Sequence, residues 1–282
     1  MIEAGSREQL AALLPRVIDL AREAGRAILD VYAEPATEVE LKQDGSPLTR
    51  ADLASHHVIV DGLAHLTPQL PVLSEESAEI SYEERKAWRH FWLVDPLDGT
   101  KEFIKRTGEF TVNIALMEAN APILGVVYAP VIGKMYSAAR GLGAFRNEDA
   151  GAIRIYATPA SDTVRMVISR SHRSKQDSLA HFAPTAANCE FVTMGSSLKF
   201  CLIAEGAADL YPRTGPTMEW DTAAAQCILE HAGGSVTNLD GDVMVYNKPD
   251  LHNSGFVARG AAAIVAEITT ACESGVTLDS LN

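Results

Sequence analysis

A chain of 282 residues, 47% of them hydrophobic, is long enough to bury a full core as one large domain or two joined ones. With 37 acidic against 24 basic residues, a net charge of -13 and a pI near 5.0, it offers no extended polyanion-binding surface for nucleic acid, so an anionic substrate would need a few placed cations or bound metal. No apolar run of about 18 residues and no export signal is visible, and Cys189, Cys201, Cys227 and Cys272 stand singly, so reduced thiols and a cytoplasmic location are expected.

Leu10, Leu13, Leu14, Val17, Ile18, Ala21, Ala24, Ile28 and Leu29 recur at helical spacing and predict an amphipathic helix over residues 9–32. SPLTRADLASHHVIVDGLAHL predicts a second helix, with Thr49 as N-cap and Asp52 three residues on in a capping box. PVLSEE and HFWLVD are short apolar runs ending in acid. TVNIALME, ILGVVYAP and KMYSAA read as antiparallel strands between turns. After these the pattern changes. VRMVISRS, CEFVTMG and ADLYPR read as strands, SSLKFCLIAEG as a helix, and TAAAQCILEHAGG as a helix closed by Gly233-Gly234. SVTNLDGDVMVYN reads as a hairpin about Asp240-Gly241, and AAAIVAEITTAC as a terminal helix. The expected organisation is residues 1–150, a helix pair with an antiparallel sheet, followed by residues 151–282, an α/β half.

The chemistry concentrates in DPLDGTKEF, residues 95–103, which sets two carboxylates three positions apart around a proline. One reading is a solvated type I turn. A haloacid-dehalogenase nucleophile needs its aspartates at i and i+2, and an EF-hand loop needs alternating ligands with glycine at its sixth position, so neither fits. A divalent-metal site on a tight turn remains, drawing further acids from SEE at residues 74–76 and from Asp221 in EWDTAAAQ, whose ordinary role would be an N-cap.

Taken together, LSEES, WLVDPLDGT and EWDTAAA, in that order, resemble the signature of the lithium-sensitive, magnesium-dependent phosphatases that include inositol monophosphatase. DGSPLTRAD, DGTKEF, SRSH, GSSLKFCLIAEGAADLYPR and GPTMEWDTAAAQ are similar to its 3'(2'),5'-bisphosphate nucleotidase branch, whereas inositol monophosphatases usually continue DGT with Thr-Asn-Phe. The resemblance covers residues 10–257 and implies an α+β, layered αβαβα sugar-phosphatase fold with the site between the halves.

It also implies two or three Mg2+ ions per site, one on Glu75, Asp95 and the Leu97 carbonyl, another on Asp95, Asp98 and Asp221, with Thr100 and Asp52 orienting the attacking water. Glu76 takes no ligand role. Substrate would touch Glu75, Leu97, Asp98 and Asp221 of the metal set, together with Gly99, Thr100, Gly195, Ser196, Ser197, Lys199 and Arg213. Ser196 or Ser197 could instead be a helix cap, Arg213 an ion-pair partner of the acids, and Arg170, His172 and Arg173 either phosphate contacts or a solvated loop. Glu205 and Asp209 read as helix terminators. The implied activity is removal of the 3'-phosphate from adenosine 3',5'-bisphosphate in sulfur assimilation, with lithium inhibition. The alternatives are inositol monophosphatase or fructose 1,6-bisphosphatase activity and, more distantly, a non-catalytic scaffold. The expected partner is a small nucleotide. Peripheral attachment to the cytoplasmic face of the inner membrane is described for some bacterial relatives, and the sequence fixes no oligomeric state.

Overall fold

The structure is a computed structural model and describes residues 5–34, 39–41, 47–77, 79–148, 151–169 and 188–262. The expected terminal helix, Cys272, Arg170, His172 and Arg173 lie outside these residues. Helix α1 (Arg7–Tyr32) opens on Ser6, whose hydroxyl accepts the Gln9 N–H. A short antiparallel pair, β1 (Val39–Leu41) and β2 (Pro47–Thr49), leads into α2 (Arg50–Leu66). Then come β3 (Val72–Ser74), a single 3-10 turn at Glu75–Ser77, the short helix α3 (Tyr82–Arg85), β4 (His90–Asp98) and α4 (Thr100–Ile104). Strands β5 (Thr111–Glu118), β6 (Ala121–Ala129), β7 (Lys134–Ala139), β8 (Gly143–Glu148) and β9 (Gly151–Ile155) follow. The order β3-β4-β5-β6-β7-β8-β9 makes a seven-stranded sheet, antiparallel throughout except for β3 beside β4. The first sheet therefore runs to Ile155 rather than stopping at residue 150.

Both faces of this sheet are covered, which explains why HFWLV is apolar without alternation. Trp92, Val94, Val112, Ile114 and Leu124 pack beneath α1 and α2 with Leu10, Val17, Ile28, Ile59 and Leu63. Phe91, Leu93, Ala115, Met117, Val127 and Tyr136 face the other way, toward helices from the second half.

That second half contains β10 (Thr163–Ile168), β11 (Asn188–Thr193), α5 (Leu198–Ala204), β12 (Leu210–Arg213), β13 (Thr217–Met218), α6 (Glu219–His231), β14 (Ser235–Asn238), β15 (His252–Asn253) and β16 (Phe256–Arg259). A five-stranded sheet runs β11-β10-β12-β16-β14. Helices α5 and α6 lie between the two sheets. Among the described residues helix, sheet, helix and sheet thus stack in that order, an α+β layered fold.

At Gly125 in β6 an added Cβ would meet the Ala224 carbonyl of α6 at 2.3 Å, so only glycine lets the helix settle so close to the sheet. Gly233 and Gly234 close α6 by donating to the Glu230 and Leu229 carbonyls. The hairpin expected about Asp240-Gly241 forms only a single bridge, Thr237 to Val243, because Met244 and Tyr246 are buried and the Tyr246 backbone bonds to Asn120 instead. β14 pairs with β16. Glu205 and Asp209 do more than end a helix. Glu205 meets Lys134 and Arg146 at 3.2 and 2.9 Å, and Asp209 accepts both ends of the Arg165 guanidinium. No described helix is long and apolar enough to cross a membrane.

Candidate active site

An unbroken strand would send residues 95 and 98 to opposite faces of the sheet. The β4–β5 ladder instead pairs Asp95 with Asn113 and Asp98 with Thr111, so three steps on one strand oppose two on the other. That is a β-bulge, and Pro96, with no N–H for a ladder, sits inside it. The freed polar groups are satisfied locally. Ser55 Oγ donates to the Pro96 carbonyl at 2.7 Å, and the buried Leu97 donates its N–H to Asp95 Oδ1 at 3.0 Å.

Asp221 arrives from the opposite side of the sheet's edge, as the third residue of α6. The expected N-cap position belongs to Met218, and Asp221 reaches back to accept the Met218 N–H at 2.9 Å. Carboxylate oxygens of Asp95, Asp98 and Asp221 lie within 4.8 Å of one another. Glu75 follows β3, the parallel neighbour of β4, and stands outside this tight triad, yet near enough for its charge to act on both Asp95 and Asp221. The expected delivery of acid by two adjacent strands is what the sheet provides.

Burial, followed by the charges of Glu75, Asp98, Asp221 and Asp52, holds the Asp95 carboxyl well above the usual carboxylate range. Burial and the Asp98 charge raise Asp221 as well, against the opposing pull of the Met218 N–H and Arg213. Two carboxylates at such a distance repel by roughly 3 kcal/mol at an effective dielectric of about 20. Hard oxygen donors, crowded and largely buried, fit a hard divalent cation such as Mg2+.

Beside the triad, Asp52 is 2% exposed and Thr100 Oγ1 donates to its Oδ1 at 3.3 Å. Asp52 Oδ2 serves the capping box, accepting the Thr49 N–H and hydroxyl at 2.7 and 2.6 Å. Gly99, at φ +93, lets the chain pass from β4 directly into α4 and so brings Thr100 to Asp52.

A cavity of about 210 Å³ opens over the acids and is lined by Asp98, Gly99, Gly195, Ser196, Ser197, Lys199, Arg213 and Asp221 of the expected set. Asp52, Glu75, Asp95, Leu97 and Thr100 do not line it. Ser197 holds the N-cap position of α5, one of the two capping alternatives, but its side chain makes no capping bond: its hydroxyl lies 3.0 Å from Asp98 Oδ2 and 2.6 Å from the Asp221 carbonyl while its N–H donates to Asp98 at 2.6 Å. Ser196 holds a left-handed φ of +47, and its buried hydroxyl has no hydrogen-bond partner among the described residues. The Gly195 N–H is taken by Glu109. Lys199 is nearly buried, donates to the Ser196 carbonyl and lies 5.3 Å from the Tyr211 ring centre. Burial, reinforced by the Arg213 charge, brings its ammonium down to about 8. Arg213 donates to the Gly215 and Pro216 carbonyls, both at 3.3 Å.

Part of the wall was not expected. Phe200, Tyr211 and Phe256 pack with ring centres 5.3 Å apart, and Lys101, Glu102 and Thr222 also reach the cavity. The three aromatics come from α5, β12 and β16, and nothing short of the sheet order brings them together.

The inositol monophosphatase family model matches residues 9–273. The chain is 50% identical over 247 residues to the 3'(2'),5'-bisphosphate nucleotidase CysQ of Salmonella typhimurium, a match covering 86% of this chain and 98% of that protein. The crystal structure of CysQ from Bacteroides thetaiotaomicron is similar with a TM-score of 0.78 at 42% identity, covering 88% of this chain and 97% of that one. An IMPase of Thermotoga maritima, 22% identical over 92% of this chain and 95% of its own, shares the fold with a TM-score of 0.72. With a family model matching residues 9–273 and relatives half identical over most of the chain, the chain belongs to the inositol monophosphatase family.

Proposed function

We propose that the chain is a Mg2+-dependent phosphatase that hydrolyses the 3'-phosphate of adenosine 3',5'-bisphosphate to AMP and phosphate. The observation that carries this reading is the meeting of Asp95, Asp98 and Asp221 within 4.8 Å beside a cavity with the buried Lys199 and the half-buried Arg213 in its lining. The names of the similar proteins support the substrate class. Glu75, Asp95, the Leu97 carbonyl, Asp98 and Asp221 would hold the cations. Bound divalent ions supply Lewis-acid activation of water and neutralise charge on the phosphoryl oxygens.

The protein's own groups account for the rest. Thr100 Oγ1 donates to Asp52, which leaves its lone pairs to accept from the attacking water and aligns that water with the phosphorus. Lys199 and Arg213 meet the second phosphate, a charge that inositol 1-phosphate lacks. Phe200, Tyr211 and Phe256 give an apolar wall suited to a purine. In the cell the reaction would recycle, in the cytoplasm, the by-product of sulfate activation and sulfotransfer.

Phosphate release from adenosine 3',5'-bisphosphate, inositol 1-phosphate and fructose 1,6-bisphosphate, with magnesium and then with added lithium, tests the reading. The nucleotide is expected to be preferred and lithium to inhibit. A preference for either of the other substrates would overturn the assignment.

Lys199 adds a pH signature. Its charged form binds phosphate, and that form is lost as pH rises through about 8. At pH 9 only about a tenth of the free enzyme would carry the charge, so KM for the nucleotide should rise up to about tenfold between pH 7 and 9. The KM profile of Lys199→Met should be flat over this range and already high at pH 7.

A further inference from the structure

Arg85, on α3, is a buried guanidinium whose hydrogen bonds go to neutral groups. It is 2% exposed, with Nε donating to the Ile80 carbonyl at 3.1 Å and Nη1 to Asn247 Oδ1 at 2.7 Å. Nη1 and Nη2 both lie 3.3 Å from the Lys248 carbonyl. Asn247 completes a two-point clasp by donating Nδ2 to the Arg85 carbonyl at 2.8 Å. Its backbone is left-handed at φ +58, and its N–H donates to Glu219 Oε2 at 2.6 Å. Glu219 is fully buried, accepts the Lys248 N–H at 3.1 Å and is ion-paired to Lys248 Nζ. It is also the first residue of α6, two positions before Asp221.

The path has two ends. Ile80 lies five residues after Glu75, and Glu219 fixes the turn that carries Asp221. Those two acids come from opposite halves of the chain, and no single strand or helix sets their separation. Replacing a whole buried ionic network by well-packed apolar groups is often neutral for stability, although removing one partner alone is costly, so stability gives no strong reason to keep the network. Ligand sets, by contrast, must hold their geometry to within about 0.5 Å.

We infer that the Arg85–Asn247–Glu219 chain is a positioning device that sets the distance between Glu75 and Asp221 and thereby the cation affinity of the acid cluster. This rests on the reading of that cluster as a divalent-cation site. Arg85 touches none of the reacting atoms and acts through the backbone it clasps.

The test uses the full chain without nucleotide. Thermal unfolding is followed in chelator and then across a magnesium titration, for wild type, Arg85→Met, Arg85→Lys and Asn247→Gly, the last keeping the left-handed backbone without strain. The magnesium concentration needed for a given rise in Tm above each variant's own value in chelator is expected to increase about tenfold in Arg85→Met and in the same direction in Asn247→Gly, with Arg85→Lys between Arg85→Met and wild type. KM for the nucleotide at saturating magnesium should stay within about twofold of wild type. A lower Tm in chelator with the same rise at each magnesium concentration as wild type would mark the clasp as structural only and overturn the inference. Should Arg85→Met prove too unstable to purify, Asn247→Gly decides alone. A wild type that shows no rise with magnesium would instead overturn the cation reading, and this inference with it.

Discussion

Asp98→Asn is expected to lower phosphate release from the nucleotide by at least about a thousandfold, a loss near 4 kcal/mol of transition-state stabilisation. Asparagine has the same shape and keeps one oxygen to accept the Ser197 N–H, now bonded at 2.6 Å. The fold should therefore be preserved. Removing one of three mutually repelling carboxylates also relieves the metal-free protein, so its Tm in chelator should match or exceed wild type while the rise with magnesium largely disappears. Steady-state turnover with paired melts in chelator and magnesium separates the two effects. Near-normal turnover in Asp98→Asn would remove Asp98 from the ligand set.

The acids themselves were legible because Glu75 and Asp95 end apolar runs, which reveal strands, and Asp221 stands at the start of a helix. Their convergence was not. Residues three apart on a strand diverge, and only the bulge around Pro96 brings Asp95 and Asp98 together. A proline inside HFWLVDPLD hints at an irregularity, since it breaks the ladder, yet nothing local says which way the strand bends. The first helix, its neighbour's capping box and the meander from Thr111 to Ala139 followed from short-range periodicity. Asp240-Gly241 misled for the opposite reason. The turn signal was sound, but Tyr246 donates to Gln226 and sits by Thr222 on α6, tertiary bonds that draw residues 244–246 away from β14. The aromatic wall and the Arg85 clasp were invisible, because their members lie far apart in sequence and each alone looks like ordinary core or surface.

Asp52 carries the remaining large effect, because its two oxygens do different work. Oδ2 accepts the Thr49 N–H and hydroxyl of the capping box, and Oδ1 accepts the Thr100 hydroxyl. In Asp52→Asn the cap needs an acceptor, so the amide oxygen turns to Thr49 and the NH2 to Thr100. Thr100 must then accept from the new side-chain amide in place of donating, which points its own hydrogen at the attacking water and reverses the polarity that water requires. Turnover is expected to fall by about 10²- to 10⁴-fold, with stability lowered by about 1 kcal/mol or less. Thr100→Val should fall comparably and Thr100→Ser should retain most activity. None of these substitutions removes a carboxylate of the Asp95, Asp98 and Asp221 triad, so the rise in Tm with magnesium should survive in all three, unlike in Asp98→Asn. Measuring kcat beside that thermal response distinguishes water orientation from cation binding. Wild-type turnover in Asp52→Asn would leave Asp52 as a helix cap and nothing more.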